Sequence, residues 1–160
     1  MEELLKLLME KGKTISTMES CTGGGICNAI TNIPDASRVF NFSAVTYAND
    51  FKIKMGVKKE LIEKYSVYSM EVASSMAKAI SEYTNSNYGI GVTGKLKKAD
   101  DNNPFGEDDM VYLAIYDRDS STLENDVYYF EKIHLKYDNR CDNKEQIIHT
   151  FVEKMLKILQ

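Results

Sequence analysis

A serine, a tyrosine and a lysine in the first third of the chain have types and spacing that suit nucleophilic catalysis. Ser20 follows a short β-type run, residues 14–18, and precedes three glycines and a stretch with helical spacing. A serine hydroxyl is a poor nucleophile unless a base lies near it. Lys52 is a candidate base, because a lysine in a partly desolvated pocket loses proton affinity, and Tyr47 can hold or relay that proton.

These side chains meet only if two strands lie side by side in one sheet. Residues 14–18 and 39–48 are the two candidate strands, and the second ends shortly before Lys52. If the strands are neighbours, both of their ends open at one edge of the sheet, where ligands bind in open α/β sheets. Two alternatives stay open: the glycines at 23–25 make only a tight turn, and Lys52 is a solvated helix lysine.

A third strand end adds polar groups to the same predicted cleft. Residues 88–92 form a short apolar run, and Thr93 and Gly94 follow it. Three strand ends that each carry a hydroxyl or a glycine suggest a polar pocket suited to a phosphate and a sugar. Glu19 would either orient the first turn, accept a ligand hydroxyl or pair with a buried backbone N–H.

The histidines and cysteines favour no other chemistry. His134 and His149 lie far from the glycine-rich turn and are interpreted as structural or surface residues. Three cysteines without paired spacing predict neither a disulfide framework nor a zinc site. Cys21 differs from the other two because it lies inside the turn.

The composition indicates one globular domain, residues 1–160. The chain has a net charge of −4, 43% hydrophobic and 28% charged residues, and no basic block longer than two lysines. A duplex nucleic-acid partner is therefore not expected. We find no apolar run of membrane-spanning length and no signal peptide, so we expect a cytoplasmic protein with a small-molecule partner and no membrane partner.

The predicted element order is α-β-α-β-α-α-β-β-β-α, which implies a sheet sandwiched between helices. The late pair of strands forms a hairpin and makes the sheet mixed. Helices are predicted at 2–11, 24–32, 58–64, 70–84 and 143–159, and strands at 14–18, 39–48, 88–92, 110–116 and 127–135. Asn49 is a candidate cap for one further short helix. The polar, turn-rich residues 95–109 predict a long loop, which is either a functional lid or simply mobile.

Several motifs in this order resemble the C-terminal domain of the CinA family. Residues 19–24 match its ESCTGG motif without a break. Residues 45–49 with Lys52 match its VTYSN-xx-K motif except at Ala48, and residues 91–94 end in its TG dipeptide. Weaker matches are Pro34-Asp35-Ala36-Ser37 to its PGAS turn and the helix that begins near Ser69. The similarity covers nearly the whole chain.

The resemblance implies a fold, an assembly and an activity. The fold is a three-layer α/β/α sandwich with a mixed, mostly parallel sheet, often assembled as a homo-oligomer. The activity is deamidation of nicotinamide mononucleotide, a small-molecule nucleotide, to nicotinate mononucleotide and ammonia, without a metal or another cofactor. Ser20 would be the nucleophile and Lys52 the base, and Tyr47 would assist proton transfer. The implied substrate-binding residues are Glu19, Cys21, Thr22, Gly23, Gly24, Thr93, Gly94 and Lys144.

The chain departs from the family pattern on the substrate side. The glycine-rich IAGPGG segment is replaced by residues 95–101, which contain no glycine. The late GDRxxVR motif falls on residues 142–148, where Lys144 replaces one arginine and Ile148 the other. A lysine lacks the two-pronged phosphate contact of arginine. Two further functions therefore stay open: an amidohydrolase of the same fold with another substrate, and a non-catalytic nucleotide-binding or interaction protein.

Overall fold

Five strands form one sheet with helices on both faces in the computed structural model, which describes residues 1–160. The strands are β1 Ile15–Glu19, β2 Phe40–Val45, β3 Tyr88–Gly94, β4 Met110–Asp117 and β5 Val127–His134. The helices are α1 Glu2–Glu10, α2 Gly25–Thr31, α3 Asn49–Lys54, α4 Lys59–Tyr65, α5 Met70–Thr84 and α6 Arg140–Leu159, with a 3-10 turn at Ala36–Arg38. The predicted α/β sandwich is confirmed.

The strand order in the sheet is β2-β1-β3-β4-β5. β1 runs parallel to β2 and β3, whereas β3–β4 and β4–β5 are antiparallel pairs. The sheet is therefore mixed, as predicted, but its parallel and antiparallel pairings are equal in number. Because β1, β2 and β3 are parallel neighbours, their carboxyl ends lie together at one edge.

Alternation along the strands sends their side chains into two separate cores. On β1, Ile15 faces a core shared with α1, α2 and α6, and Met18 faces a core shared with α5. On β3, Ile90 and Val92 belong to the first core, so the residues between them face α5. Burial on both faces of the sheet explains why β1 and β3 contain no exposed residue.

Glycines on β3 let α5 pack directly on the sheet. A Cβ atom at Gly91 would overlap the carbonyl oxygen of Ala73 and lie 2.7 Å from the backbone nitrogen of Ala77. Gly89 lies under the same helix and has the same kind of contact. Because the obstructing atoms belong to the helix backbone, no side-chain rotation would relieve the overlap. The close approach fixes α5 against the centre of the sheet.

Most elements begin or end one to three residues from the predicted position, and the starts of α6 and α3 are two such cases. Helix α6 begins at Arg140, three residues before the predicted start, because the Asn139 side chain accepts a hydrogen bond of 2.8 Å from the Asp142 N–H. Helix α3 exists, but Ala48 is its N-cap residue and no side chain caps it, so Asn49 lies inside the helix. No helix combines the length and the apolar composition needed to span a membrane.

Candidate functional site

Ser20 lies directly after the last residue of β1, at the edge where three parallel strands end. Its N–H donates to the Val92 carbonyl on β3 (3.1 Å), and its own carbonyl accepts from the Gly23 N–H (3.0 Å). Gly24, the N-cap of α2, has a φ of +92°, a left-handed conformation that glycine adopts without steric cost. The strand end and the turn thus hold the Ser20 backbone on both sides.

Lys52 reaches Ser20 from α3. Its Nζ lies 3.1 Å from the Ser20 Oγ, 2.6 Å from the Thr46 carbonyl oxygen and 3.3 Å from the Tyr47 carbonyl oxygen. The lysine is only 1% exposed, and no carboxylate pairs with it. The structure therefore brings together the serine and the lysine that the sequence marked as nucleophile and base.

The environment of Lys52 suits a base. Burial lowers the pKa of its ammonium to about 8, because the charged form loses hydration that nothing in the site replaces fully. A neutral amine has two N–H donors and one lone pair. With the donors directed at the Thr46 and Tyr47 carbonyls, the lone pair is left for the Ser20 hydroxyl proton.

Cys21 and Tyr47 also line the cavity at this edge, but the cysteine is buried and the tyrosine is exposed. Burial raises the pKa of the Cys21 thiol to about 12, so the thiol is protonated at neutral pH and is a weak nucleophile. Tyr47 is 65% exposed, and its hydroxyl makes no hydrogen bond within the chain. Its carbonyl is the part of Tyr47 that contacts Lys52.

Glu19 faces away from the cavity and completes the first turn of α2. Its carboxylate accepts hydrogen bonds from the Ile26 N–H (3.0 Å), the Cys27 N–H (2.8 Å) and the Thr22 hydroxyl (2.6 Å). Strand alternation explains the direction, because Glu19 shares the face of Ile15 on β1. Of the three interpretations that the sequence allowed, the structure matches the buried partner of backbone N–H groups.

Of the other predicted binding residues, one lines the cavity and the rest do not. Gly94 lines the cavity. Thr93 is fully buried and donates to the Val67 carbonyl (3.0 Å), on the α5 side of the sheet. Gly23, with a φ of +61°, packs against the Lys144 side chain, whose Nζ lies 3.3 Å from the place of a Cβ on that glycine. Neither Gly23, Lys144 nor the neighbouring Thr22 and Gly24 line the cavity.

The cavity has a volume of about 960 Å³ and collects residues from distant parts of the chain. The polar lining residues that sequence reasoning did not assign to the site are Asn49, Asp50, Tyr68, Lys95, Lys98, Asp100, Asp101, Asn102, Asn103 and Arg140. Arg140 had a local signal, because Asn139 followed three residues later by Asp142 is an N-cap pattern. No local pattern connects Tyr68 with the 95–109 loop.

One group of side chains outside the cavity has the chemistry of metal ligands. Glu107, Asp109 and His134 each offer one ligand atom, and these atoms lie within 4.8 Å of one another. None of the three lines the cavity with Ser20. His134 thus lies at the sheet edge, apart from the serine and lysine.

The fold and the site define a class: an α/β/α protein with a buried serine–lysine pair where three parallel strands end. The chain belongs to the CinA C-terminal domain family, whose family model matches residues 1–159. This confirms the resemblance that the sequence motifs predicted.

Relatives by sequence are longer proteins. The chain is 44% identical over 120 residues to a competence-damage inducible protein of Clostridium kluyveri, covering 74% of this chain and 29% of that protein. It is 38% identical over 117 residues to a protein of the same description from Caldicellulosiruptor saccharolyticus, covering 71% and 28%. The chain thus corresponds to less than a third of the length of these relatives.

Solved structures share the whole fold. The competence/damage inducible protein CihA of Agrobacterium tumefaciens has a TM-score of 0.83 at 27% identity, with 99% of this chain and 95% of that one covered. The competence or damage-inducible protein of Enterobacter asburiae has a TM-score of 0.86 at 21% identity, with 99% and 98% covered. The fold of the chain is therefore that of the family.

Proposed function

We propose that the protein deamidates nicotinamide mononucleotide to nicotinate mononucleotide and ammonia. The observation that carries the proposal is the 3.1 Å contact between the Ser20 Oγ and the Nζ of the buried Lys52. Membership of the CinA family supports the choice of substrate, because the family motifs around both residues are kept. The contact weighs against a non-catalytic binding protein, which has no need to bury a lysine beside a serine.

The reaction has two halves that use the same pair. Neutral Lys52 takes the hydroxyl proton of Ser20 while the Oγ attacks the carboxamide carbon. The protonated amine then gives the proton to the leaving nitrogen, and ammonia departs from a serine ester. In the second half Lys52 takes a proton from water and hydroxide adds to the ester. Lys52 then returns the proton to the Ser20 Oγ as the C–O bond breaks, and the released carboxylic acid loses its proton to solvent as the carboxylate product.

Two further groups are suited to bind the negative charges of the intermediate and of the substrate phosphate. Cys21 lines the cavity beside Ser20 and its N–H donates to no backbone carbonyl, so this N–H is the proposed donor to the oxyanion of the tetrahedral intermediate. Arg140 lines the cavity from the first turn of α6, and its guanidinium forms no ion pair within the chain. Arginine and a helix N-terminus both favour a phosphate, so Arg140 is the proposed phosphate ligand.

Ammonia release tests the proposal. We expect Ser20→Ala to reduce the rate of ammonia release from nicotinamide mononucleotide by about a thousandfold or more. Ser37→Ala is a matched control, because Ser37 is exposed and lies outside the cavity. Undiminished turnover in Ser20→Ala would remove the serine from its proposed role.

A second candidate is the same chemistry on another amide. The observation that favours it is the 95–109 loop, which lines the cavity with residues that differ from the family pattern. A panel of nucleotide amides and simple amides, assayed for Ser20-dependent ammonia release, separates the two substrates. Self-association stays a prediction, because the structure holds a single chain.

A further inference from the structure

The polar loop 95–109 is fixed at its base by a buried lysine. The Lys95 side chain is 2% exposed, and its Nζ donates to the Gly106 carbonyl (3.3 Å) and the Asp108 carboxylate (3.1 Å). The same ammonium lies 5.2 Å from the centroid of the Tyr68 ring. The two ends of the loop are thus tied together, and the loop is held as one wall of the cavity.

Asp100 is the residue through which this wall is attached to the rest of the site. Its carboxylate accepts hydrogen bonds from the Tyr68 hydroxyl, the Asn103 side-chain amide (2.8 Å) and the Asn102 N–H (3.0 Å). These donors, the Tyr68 hydroxyl first among them, hold the pKa of Asp100 below its usual range. Asp100 therefore carries a negative charge at neutral pH.

The same network connects Asp100 to the helix that bears the base. Asn103, which holds Asp100, accepts a hydrogen bond of 3.2 Å from the side chain of Asn49 in the first turn of α3. Lys52 stands on the same helix, and Asp100 lines the same cavity as Ser20. The carboxylate is thus a fixed negative charge in the cavity of the reacting pair.

We propose that Asp100 determines specificity by selecting amide substrates whose ring carries a fixed positive charge, such as an N-alkylated pyridinium carboxamide. The inference rests on the proposed function and narrows its substrate class. Asp100 acts through charge, since its hydrogen bonds are made within the protein. Opposite charges attract more strongly in a cavity than in bulk water, and the same carboxylate repels the anionic carboxylate product.

A comparison of the binding of two nearly identical ligands isolates the contribution of the ring's positive charge. Nicotinamide mononucleotide and its 1,4-dihydro form share the amide, the ribose and the phosphate, but only the first has a cationic ring. In a Ser20→Ala background, which prevents turnover, calorimetry gives both Kd values with and without Asp100→Asn. We expect Asp100→Asn to weaken binding of the cationic form about tenfold and of the neutral form less than about twofold.

Two variants control for fold and for net charge. Asp100→Glu keeps the charge and should keep the preference for the cationic form. Glu124→Gln removes the same charge at an exposed side chain that forms no ion pair and lies outside the cavity, and it should leave both Kd values unchanged. An equal loss for both ligands in Asp100→Asn would show a role in loop structure alone and would overturn the inference, as would no loss for either.

The outcomes separate this inference from the proposed function. A protein that releases no ammonia from nicotinamide mononucleotide, yet loses its charge preference in Asp100→Asn, retains the inference and refutes the activity. A protein that releases ammonia but binds the two forms equally well retains the activity and refutes the inference. Failure of the Ser20→Ala protein to bind either form also counts against the inference.

Discussion

At the scale of single residues, the site depends on how one amine is surrounded. Three oxygens lie within hydrogen-bond distance of the Lys52 Nζ, and two of them are backbone carbonyls that only accept. The Ser20 hydroxyl is the one neighbour that can also donate. Deprotonation of Lys52 therefore reverses a single hydrogen bond, the one to Ser20, and leaves the other two in place.

The pH dependence of the reaction follows from this arrangement. In the proposed reaction the neutral amine is the active form. Since burial lowers the pKa of Lys52 to about 8, kcat/KM should rise with pH and level off above about pH 8. The measurement is ammonia release from about pH 6 to about pH 9 at fixed ionic strength. A flat profile over this range would contradict Lys52 as the base.

Replacement of the base gives a second residue-scale prediction. Lys52→Arg keeps the positive charge, but a guanidinium stays protonated and has no lone pair for the serine proton, so we expect a loss of about a thousandfold or more in kcat. Lys54→Arg, at the exposed neighbouring lysine of α3, serves as the control. Comparable losses in both variants would point to a disturbed helix rather than a lost base.

At the scale of elements, a residue of strand β1 accepts the hydrogen bonds that an N-cap side chain would accept at the start of helix α2. The N-cap of α2 is Gly24, which has no side chain to accept a hydrogen bond. Glu19, the last residue of β1, accepts from the Ile26 and Cys27 N–H groups instead. The negative charge also suits the positive end of the helix dipole. Ser20 is held between these two elements, so the position of its hydroxyl depends on their junction.

A change at Glu19 should therefore cost stability. Glu19→Gln keeps the shape of the side chain but removes its charge and places an amide N–H donor against the backbone N–H donors of α2. We expect the free energy of unfolding to fall by about 1–3 kcal/mol. Urea unfolding measures the difference. Glu10→Gln, at an exposed glutamate of α1, should change stability by less than about 0.5 kcal/mol. Unaltered stability in Glu19→Gln would show that water replaces the carboxylate at the helix start.

At the scale of the whole molecule, the contact of α5 with β3 determines how closely the layers pack. Gly89 and Gly91 leave the helix backbone in contact with the strand, and α5 also covers β1 and β4. Thr93, next on the same strand face, is thereby directed to the Val67 carbonyl before α5 rather than to the ligand cavity. The packing of α5 on β3 thus determines which side chains at the end of this strand face the cavity.

The sequence alone determined the order of elements and the two residues at the centre of the site. Helical periodicity, β-type runs and glycine-rich turns act over a few residues, so local pattern places Ser20 at a strand end and Lys52 on a short helix. The helix between β1 and β2 suits a parallel pair, because parallel strands need such a crossover connection, but that the two strands are neighbours was a condition that the sheet order met.

Only the tertiary structure decided which other side chains line the cavity. Glu19 and Thr93 end adjacent strands but point to opposite layers, and that choice depends on which helices cover each face. Arg140, Tyr68 and Asp100 are far apart in the chain and meet through long-range packing and hydrogen bonds that no local pattern encodes. The sequence therefore identifies the serine–lysine pair, and the fold determines the cavity wall around it.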